Sequence, residues 1–403
     1  MKLILILFPI LHLGQGFALK SETTMNSSKA GTGVHAPVGK DGEGEYSAAT
    51  KGCFDVIDTA TPFVLDEIKK QTFILSKSSA YHIADYGTAD GGTSLGLLSK
   101  MVNTVRECVK NDEKEIVLHY EDQMSNEWQS VFKHVLGLKA VRDAYGNLIE
   151  SPFSLGNVYA EACGVGFHSQ CYPSNSIDYG VSFTAMHWLS TCTVTSLHGK
   201  PYMHAARCSD SAISEKNQAA QDWKSILQAR AKELVSGGRF ACVNFCVSKE
   251  GYFLGQTDKG ASMWDSFQTA WDQLKDQGLI NEVERLNVSF PSYYRTMDEF
   301  IEGIEDIDCL KVISAEEKIV RCPYRELFVS GKTTMDEREY AEWFVPTTRT
   351  WSHSTFRDAL RIERTDKEEV MAAFWENYKS IVEKNPKDHG MDYVHAYLIL
   401  EKV

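Results

Sequence analysis

Two short clusters carry residue types that could hold a ligand. The first is Asp85-Tyr86-Gly87-Thr88-Ala89-Asp90-Gly91-Gly92, directly after the apolar run Tyr81-His82-Ile83-Ala84. The second is Glu121-Asp122, directly after Glu115-Ile116-Val117-Leu118-His119-Tyr120. Glycines without a Cβ let a backbone approach a ligand closely. An acid after a second strand can accept both hydroxyls of a ribose. A dinucleotide site would want G-x-G-x-x-G, so that a helix N-terminus receives the pyrophosphate. Here the spacing differs, and Asp90 inside the loop would repel a diphosphate yet could hold a cation. The loop therefore favours a positively charged nucleoside. An ordinary strand-to-helix turn with a surface aspartate has the same composition, so the loop alone leaves both readings open.

These clusters need elements to position them. Apolar residues recur at helical spacing from about Thr59 to Leu75 (Phe63, Val64, Ile68, Phe73, Ile74), which predicts a helix before the first strand. After the glycine turn a helix is expected from about Thr93, with Leu95, Leu97, Leu98, Met101 and Val102 on one face. Strand, glycine turn, helix and strand make a βαβ unit. A further strand is expected within Ser154 to Val165. A helix from Trp223 to Leu234 should stop at Ser236-Gly237-Gly238 and feed the strand Arg239–Phe245. Tyr393–Leu400 reads as a terminal strand. Between Gly251 and Phe344 the pattern predicts acidic, aromatic-rich helices, which with part of 170–220 would form a cap over the sheet edge.

With 403 residues, 43% hydrophobic and 24% charged, the chain can build one large α/β domain with insertions, or two domains. A net charge of −13 repels phosphate backbones, which argues against nucleic acid as a partner. No stretch of 18 apolar residues offers a membrane-spanning helix.

Taken together, the blocks resemble the SABATH family of plant-type carboxyl and nitrogen methyltransferases. Ala84–Thr93 is similar to that family's A-D-L-G-C-S-S-G-P-N, and Glu121–Gln129 to its N-D-L-P-x-N-D-F-N. Val165-Gly166-Phe167-His168 before Pro173 corresponds to G-S-F-Y. Ala185-Met186-His187-Trp188-Leu189-Ser190 corresponds to S-L-H-W-L-S, and Arg230–Gly238 to R-A-x-E-L-x-x-G-G. The match runs in order over roughly residues 45–400. The resemblance implies an α/β fold, a class I methyltransferase Rossmann-like sheet with a helical cap, over residues 46–403. It implies S-adenosyl-L-methionine as cofactor and a small-molecule substrate. By position, Tyr46, Asp85, Gly87, Thr88, Thr93, Asp122, Gln123, Gly166 and Phe167 would bind the cofactor, with Asp122 on the ribose and Phe167 on the adenine. Cys53, Thr184, His187 and Trp188 would face the substrate, His187 and Trp188 being the catalytic pair. A homodimer is compatible with this reading.

Departures from the pattern bear on the acceptor. Cys53 stands where the family's N-terminal motif offers a carboxylate-holding glutamine, and a thiol is a poor donor to a carboxylate. Leu286 and Ser289 replace the magnesium-linked positions, so no metal is expected. Simple methyl-ester formation is thereby in doubt; nitrogen, oxygen and sulfur acceptors stay open. Two other readings compete: an NAD-dependent oxidoreductase on the same sheet, and a catalytically inactive small-molecule-binding protein of the same fold.

The N-terminus reads as a signal peptide over residues 1–18. Lys2 supplies the positive end, Leu3 to Leu13 the apolar stretch, and Gly16 and Ala18 the small residues of a cleavage site. Residues 19–45 have too few large apolar side chains to fold and form a linker or a transit segment. This predicts an endomembrane route, ending outside the cell or in a plastid reached by a bipartite signal; without a working signal the chain would stay in the cytoplasm. The ten cysteines show no zinc spacing.

Overall fold

The computed structural model describes residues 42–71, 74–75, 79–191, 196–197, 200–201 and 213–403. The predicted leader and nearly all of the linker lie outside them, as does most of 192–212, a stretch assigned to the cap.

The βαβ unit forms where the sequence places it. Strand β1 is Ala80–Tyr86, its helix Leu95–Val109, and strand β2 Glu115–Glu121, paired parallel to β1 from Ala80↔Glu115 to Tyr86↔Glu121. Side chains alternate across β1 as a buried strand requires. Tyr81 and Ile83 join the cluster under that helix, whereas Ala84 and Tyr86 join the cluster on the opposite face. The predicted strand within 154–165 is β3, Val158–Cys163, at the sheet edge beside β2.

The remaining strands are β4 (Ile177–Phe183), β5 (Leu234–Val247), β6 (Leu310–Val320) and β7 (Tyr393–Lys402). The order across the sheet is β6-β7-β5-β4-β1-β2-β3, with the two-residue strand Arg295–Thr296 beside β5. β7 runs antiparallel to both β5 and β6, and the pairs among β1 to β5 are parallel. The strand order reverses between β1 and β4, so this is the switch point at which open α/β sheets bind ligands.

Three local readings are corrected. Residues 177–183 lie in the stretch partly assigned to the cap, yet they form a central strand. Asp178 hides the strand pattern, but its carboxylate is used: it accepts the backbone N–H of His82 at 2.8 Å. Residues 310–320, inside the expected helical span, form an edge strand whose half-exposed charges (Glu316, Glu317, Lys318) mask its alternation. The third concerns Ser236-Gly237-Gly238, which follows the end of the helix as expected but lies within the strand rather than before it. The helix Ile213–Glu233 passes straight into β5, and these residues form a bulge, the register jumping from Ile177↔Leu234 to Tyr179↔Arg239. Gly237 at φ 81° supplies the left-handed step that bulge needs.

The helical layer packs on one face of the sheet and extends past Phe344. It includes α1 (Glu45–Ala49), α2 (Lys51–Lys70), and the cap helices Met263–Asp276, Pro323–Val329, Glu337–Ala359 and Lys367–Lys384. Their aromatic side chains, among them Trp264, Phe267, Trp271, Trp351, Phe356, Phe374 and Trp375, form one buried cluster with Val243, Phe245, Tyr393 and Tyr397 of the sheet. No described helix is long and apolar enough to cross a membrane.

Candidate active site

The carboxyl ends of β1 and β2 gather three carboxylates around the glycine turn. Asp85 Oδ2 accepts hydrogen bonds from Thr88 Oγ1 (2.9 Å) and Ser94 Oγ (2.6 Å). Asp122 accepts from the backbone N–H of Ala89 (2.8 Å) and of Gln123 (2.7 Å). Glu121 is fully buried. Its Oε2 accepts from Gly87 N–H at 3.1 Å, and its Oε1 has no hydrogen-bond partner. Burial pushes the Asp85 and Asp122 carboxyls up to about 6, against the pull of their hydrogen bonds. It raises Glu121 further, helped by the negative Asp122 beside it. Buried carboxylates are costly to ionise, so a cationic ligand settling among them would be bound favourably.

The turn itself is built to touch its neighbours. Gly87 has φ 75°, and a Cβ there would lie 2.4 Å from the Ala185 Cβ. A side chain at Gly92 would lie 2.4 Å from Ser47 Oγ. Asp90 is corrected here: it does not face a ligand. Its Oδ2 accepts from Ser47 N–H (2.8 Å) and Ser47 Oγ (2.9 Å), and its Oδ1 from Gly92 N–H (3.1 Å). Asp90 thus fastens α1, which carries Tyr46, onto the turn. Thr93 is half-buried, and Ser94 rather than Thr93 bonds Asp85.

Gly166 and Phe167 sit on the loop after β3, the Phe167 ring 4.6 Å from that of His168. The R-A-x-E block explains how this loop is held. Arg230 donates to the carbonyls of Phe167 and Ser169, each at 2.9 Å, and pairs with Glu233 at 2.8 Å. Glu233 in turn accepts from the N–H groups of Cys171 and Tyr172 and from Tyr86 Oη. Both partners of this pair are almost wholly buried.

Beyond Ala185 the same segment lines a second pocket. Cys53, Thr184, His187 and Trp188 meet there. Tyr46, expected at the cofactor, lines this pocket as well, with Thr50. His187 is buried, its ring 4.8 Å from Trp188 and 4.7 Å from Phe245. Thr184 closes β4 at φ 59°, a left-handed conformation unusual for a β-branched residue, with Oγ1 3.3 Å from His395 Nε2. The His187–Trp188 turn is pinned on several sides. His187 C=O accepts from Tyr293 N–H (3.0 Å), Trp188 C=O from His168 Nε2 (3.1 Å), and Met186 C=O from Arg295 Nη1 (3.1 Å).

Sequence reasoning missed Phe245, Leu254, Trp264, Ser292, Tyr294, Trp351, Met391 and Tyr393 as lining residues. Phe245, near the carboxyl end of β5, could have been found from its place at a strand end; the cap residues carry no such signal. Among the described residues no group of three or more His, Cys, Asp or Glu is arranged to hold a metal ion.

A family profile described as SAM dependent carboxyl methyltransferase matches residues 34–403. The chain belongs to this family, the SABATH methyltransferases. A probable 7-methylxanthine methyltransferase from Theobroma cacao is 28% identical over 281 residues, covering 66% of this chain and 72% of that one. Farnesoic acid carboxyl-O-methyltransferase from Arabidopsis thaliana is 25% identical over 292 residues, covering 70% and 78%. A solved loganic acid methyltransferase with SAH superimposes with a TM-score of 0.69 at 18% identity, covering 91% of this chain and 98% of that one. This SABATH protein is therefore a class I, S-adenosylmethionine-dependent methyltransferase of small molecules; the NAD-dependent and inactive-scaffold readings are not favoured. The residues present fit the cofactor: three buried carboxylates suit a sulfonium and an ammonium, and a turn that rejects a Cβ at Gly87 gives the backbone close access.

Proposed function

We propose that this enzyme methylates a small, flat acceptor held in the aromatic pocket, with His187 and Trp188 orienting it. One observation carries the reading. The segment Thr184–Trp188 touches the glycine turn on one side, through Ala185 and Gly87, and lines the aromatic pocket on the other. A single turn of chain thus joins the place for the methyl donor to the place for the acceptor.

S-adenosylmethionine supplies an already activated methyl group, so the chain's own task is alignment and exclusion of water. Asp122 would take the ribose hydroxyls, Phe167 the adenine, and Asp85, Thr88 and Gly87 would shape the turn around the donor. Gln123, Thr93 and Gly166 border that place. Trp188 packs on the acceptor while its indole N–H offers one donor. His187 stands closest by motif to receive a proton from an acceptor that must lose one. The relatives' names include both a methylated xanthine and carboxylic acids, so membership leaves the acceptor atom open.

The test is a labelled-methyl assay against pooled small metabolites, with products identified by mass spectrometry. Trp188→Ala should lower turnover more than about tenfold while S-adenosylhomocysteine binding persists. Unchanged turnover would remove the pair from the mechanism.

We also infer, from the Lys2, Leu3–Leu13 and Gly16/Ala18 pattern, that residues 1–18 route the chain through the endomembrane system.

A further inference from the structure

The acceptor pocket contains about 450 Å³ of empty space, part of it open to solvent. Its walls are mostly rings: Phe245, Trp264, Tyr294, Trp351 and Tyr393. Two polar atoms in these walls are buried and have no hydrogen-bond partner, Ser292 Oγ and Trp351 Nε1, on residues 1% and 9% exposed. The neighbouring Trp264 shows the contrast, since its Nε1 donates to the Leu254 carbonyl at 3.1 Å. Buried polar groups are normally paired, and ligand pockets place a few of them to fix orientation.

The charge of the pocket is equally informative. No lysine or arginine is among the described residues that line it. Burial pushes the Cys53 thiol up to about 11, so it stays neutral, and it raises the Tyr46 and Tyr393 hydroxyls for the same reason. The carboxylates that act on its lining are Asp90 and Asp122 on Tyr46, and Asp90 on Cys53. A carboxylate acceptor would enter this space without a compensating cation and beside like charge.

We propose that the pocket selects uncharged planar aromatic acceptors, and that Ser292 and Trp351 are specificity determinants that donate to an oxygen or nitrogen on the ring system. This deepens the methyltransferase reading above and rests on it. Methylation then forms a bond from the acceptor's nitrogen or oxygen lone pair to the methyl carbon. The carbon–sulfur pair stays with the departing thioether sulfur, and the acceptor's N–H or O–H proton passes to His187 and from there to solvent.

The test uses the full chain, saturated with S-adenosylhomocysteine, titrated calorimetrically with 2-naphthamide, 2-naphthoate and naphthalene. The amide should bind at least tenfold more tightly than the carboxylate. Ser292→Ala should weaken the amide several-fold and leave naphthalene unchanged, and Trp351→Phe should weaken the amide several-fold more than it weakens naphthalene, with S-adenosylhomocysteine binding as the check that each variant is folded. Equal or tighter binding of 2-naphthoate would overturn the proposal, as would a protein that takes up S-adenosylhomocysteine but none of the naphthyl compounds. The wild-type comparison decides the matter even if a variant does not fold. Failure to bind S-adenosylhomocysteine would instead overturn the methyltransferase reading beneath it.

Discussion

At the scale of single residues, the site is governed by carboxylates kept out of water. Asp85 and Asp122 titrate near 6 rather than near 4 because burial disfavours their charged forms. A cationic ligand reverses that preference. Below about pH 6 these groups are protonated and attract it less; above that they are ionised and attract it more. Affinity for S-adenosylmethionine should therefore tighten as pH rises through about 6 and level off above 7, as calorimetry between pH 5 and 8 would show. Asp122→Asn should weaken binding and flatten part of that profile. A flat profile in the wild-type protein would mean that these groups do not face the ligand. The two acids were legible in sequence, but the turn alone left their role open, and it was the ordered family-like blocks that pointed to a ligand. Asp90 was not legible, because its type and spacing suit a ligand and a helix tether equally; only the position of Ser47 decides.

At the scale of elements, the most specific sequence block is a clamp. Arg230 and Glu233 touch no ligand place themselves; they fix the Phe167–Tyr172 loop through main-chain contacts. Arg230→Met should destabilise the fold by about 3–5 kcal/mol, because it leaves the Glu233 charge buried without its counter-charge. The double variant Arg230→Met/Glu233→Leu should recover much of that stability in thermal melts. It should still bind S-adenosylhomocysteine more weakly, since the loop loses its ties. Recovery of both properties would show that the clamp serves stability only. Strand β1, its helix and β2 were readable from apolar runs because both faces of those strands are covered. Strand β6 was not, because an edge strand carries charges that break the alternation. The acceptor pocket was half readable. His187 and Trp188 belong to a motif, whereas Trp351 reaches the pocket from a cap helix distant in sequence.

At the scale of the whole molecule, one parallel sheet with an antiparallel β7 puts every predicted ligand residue at the carboxyl ends of its strands or on the segments that cover them. The cap supplies the aromatic wall, and α1 is tethered to the turn by Asp90. If residues 1–18 act as a cleaved leader, N-terminal sequencing of the protein from its source cells should give a chain beginning at Leu19. A chain that still begins at Met1 would show that residues 1–18 are not a cleaved leader.

The whole account stands on a donor place built from Gly87 and Asp122, and calorimetric titration of the intact enzyme addresses it directly. S-adenosylhomocysteine should bind at micromolar concentration and NADH should not. Gly87→Ala, which forces a Cβ against Ala185, and Asp122→Asn should each weaken S-adenosylhomocysteine by tenfold or more. Undiminished affinity in both variants, or heat from NADH alone, would contradict the assignment of that turn and that carboxylate to the methyl donor.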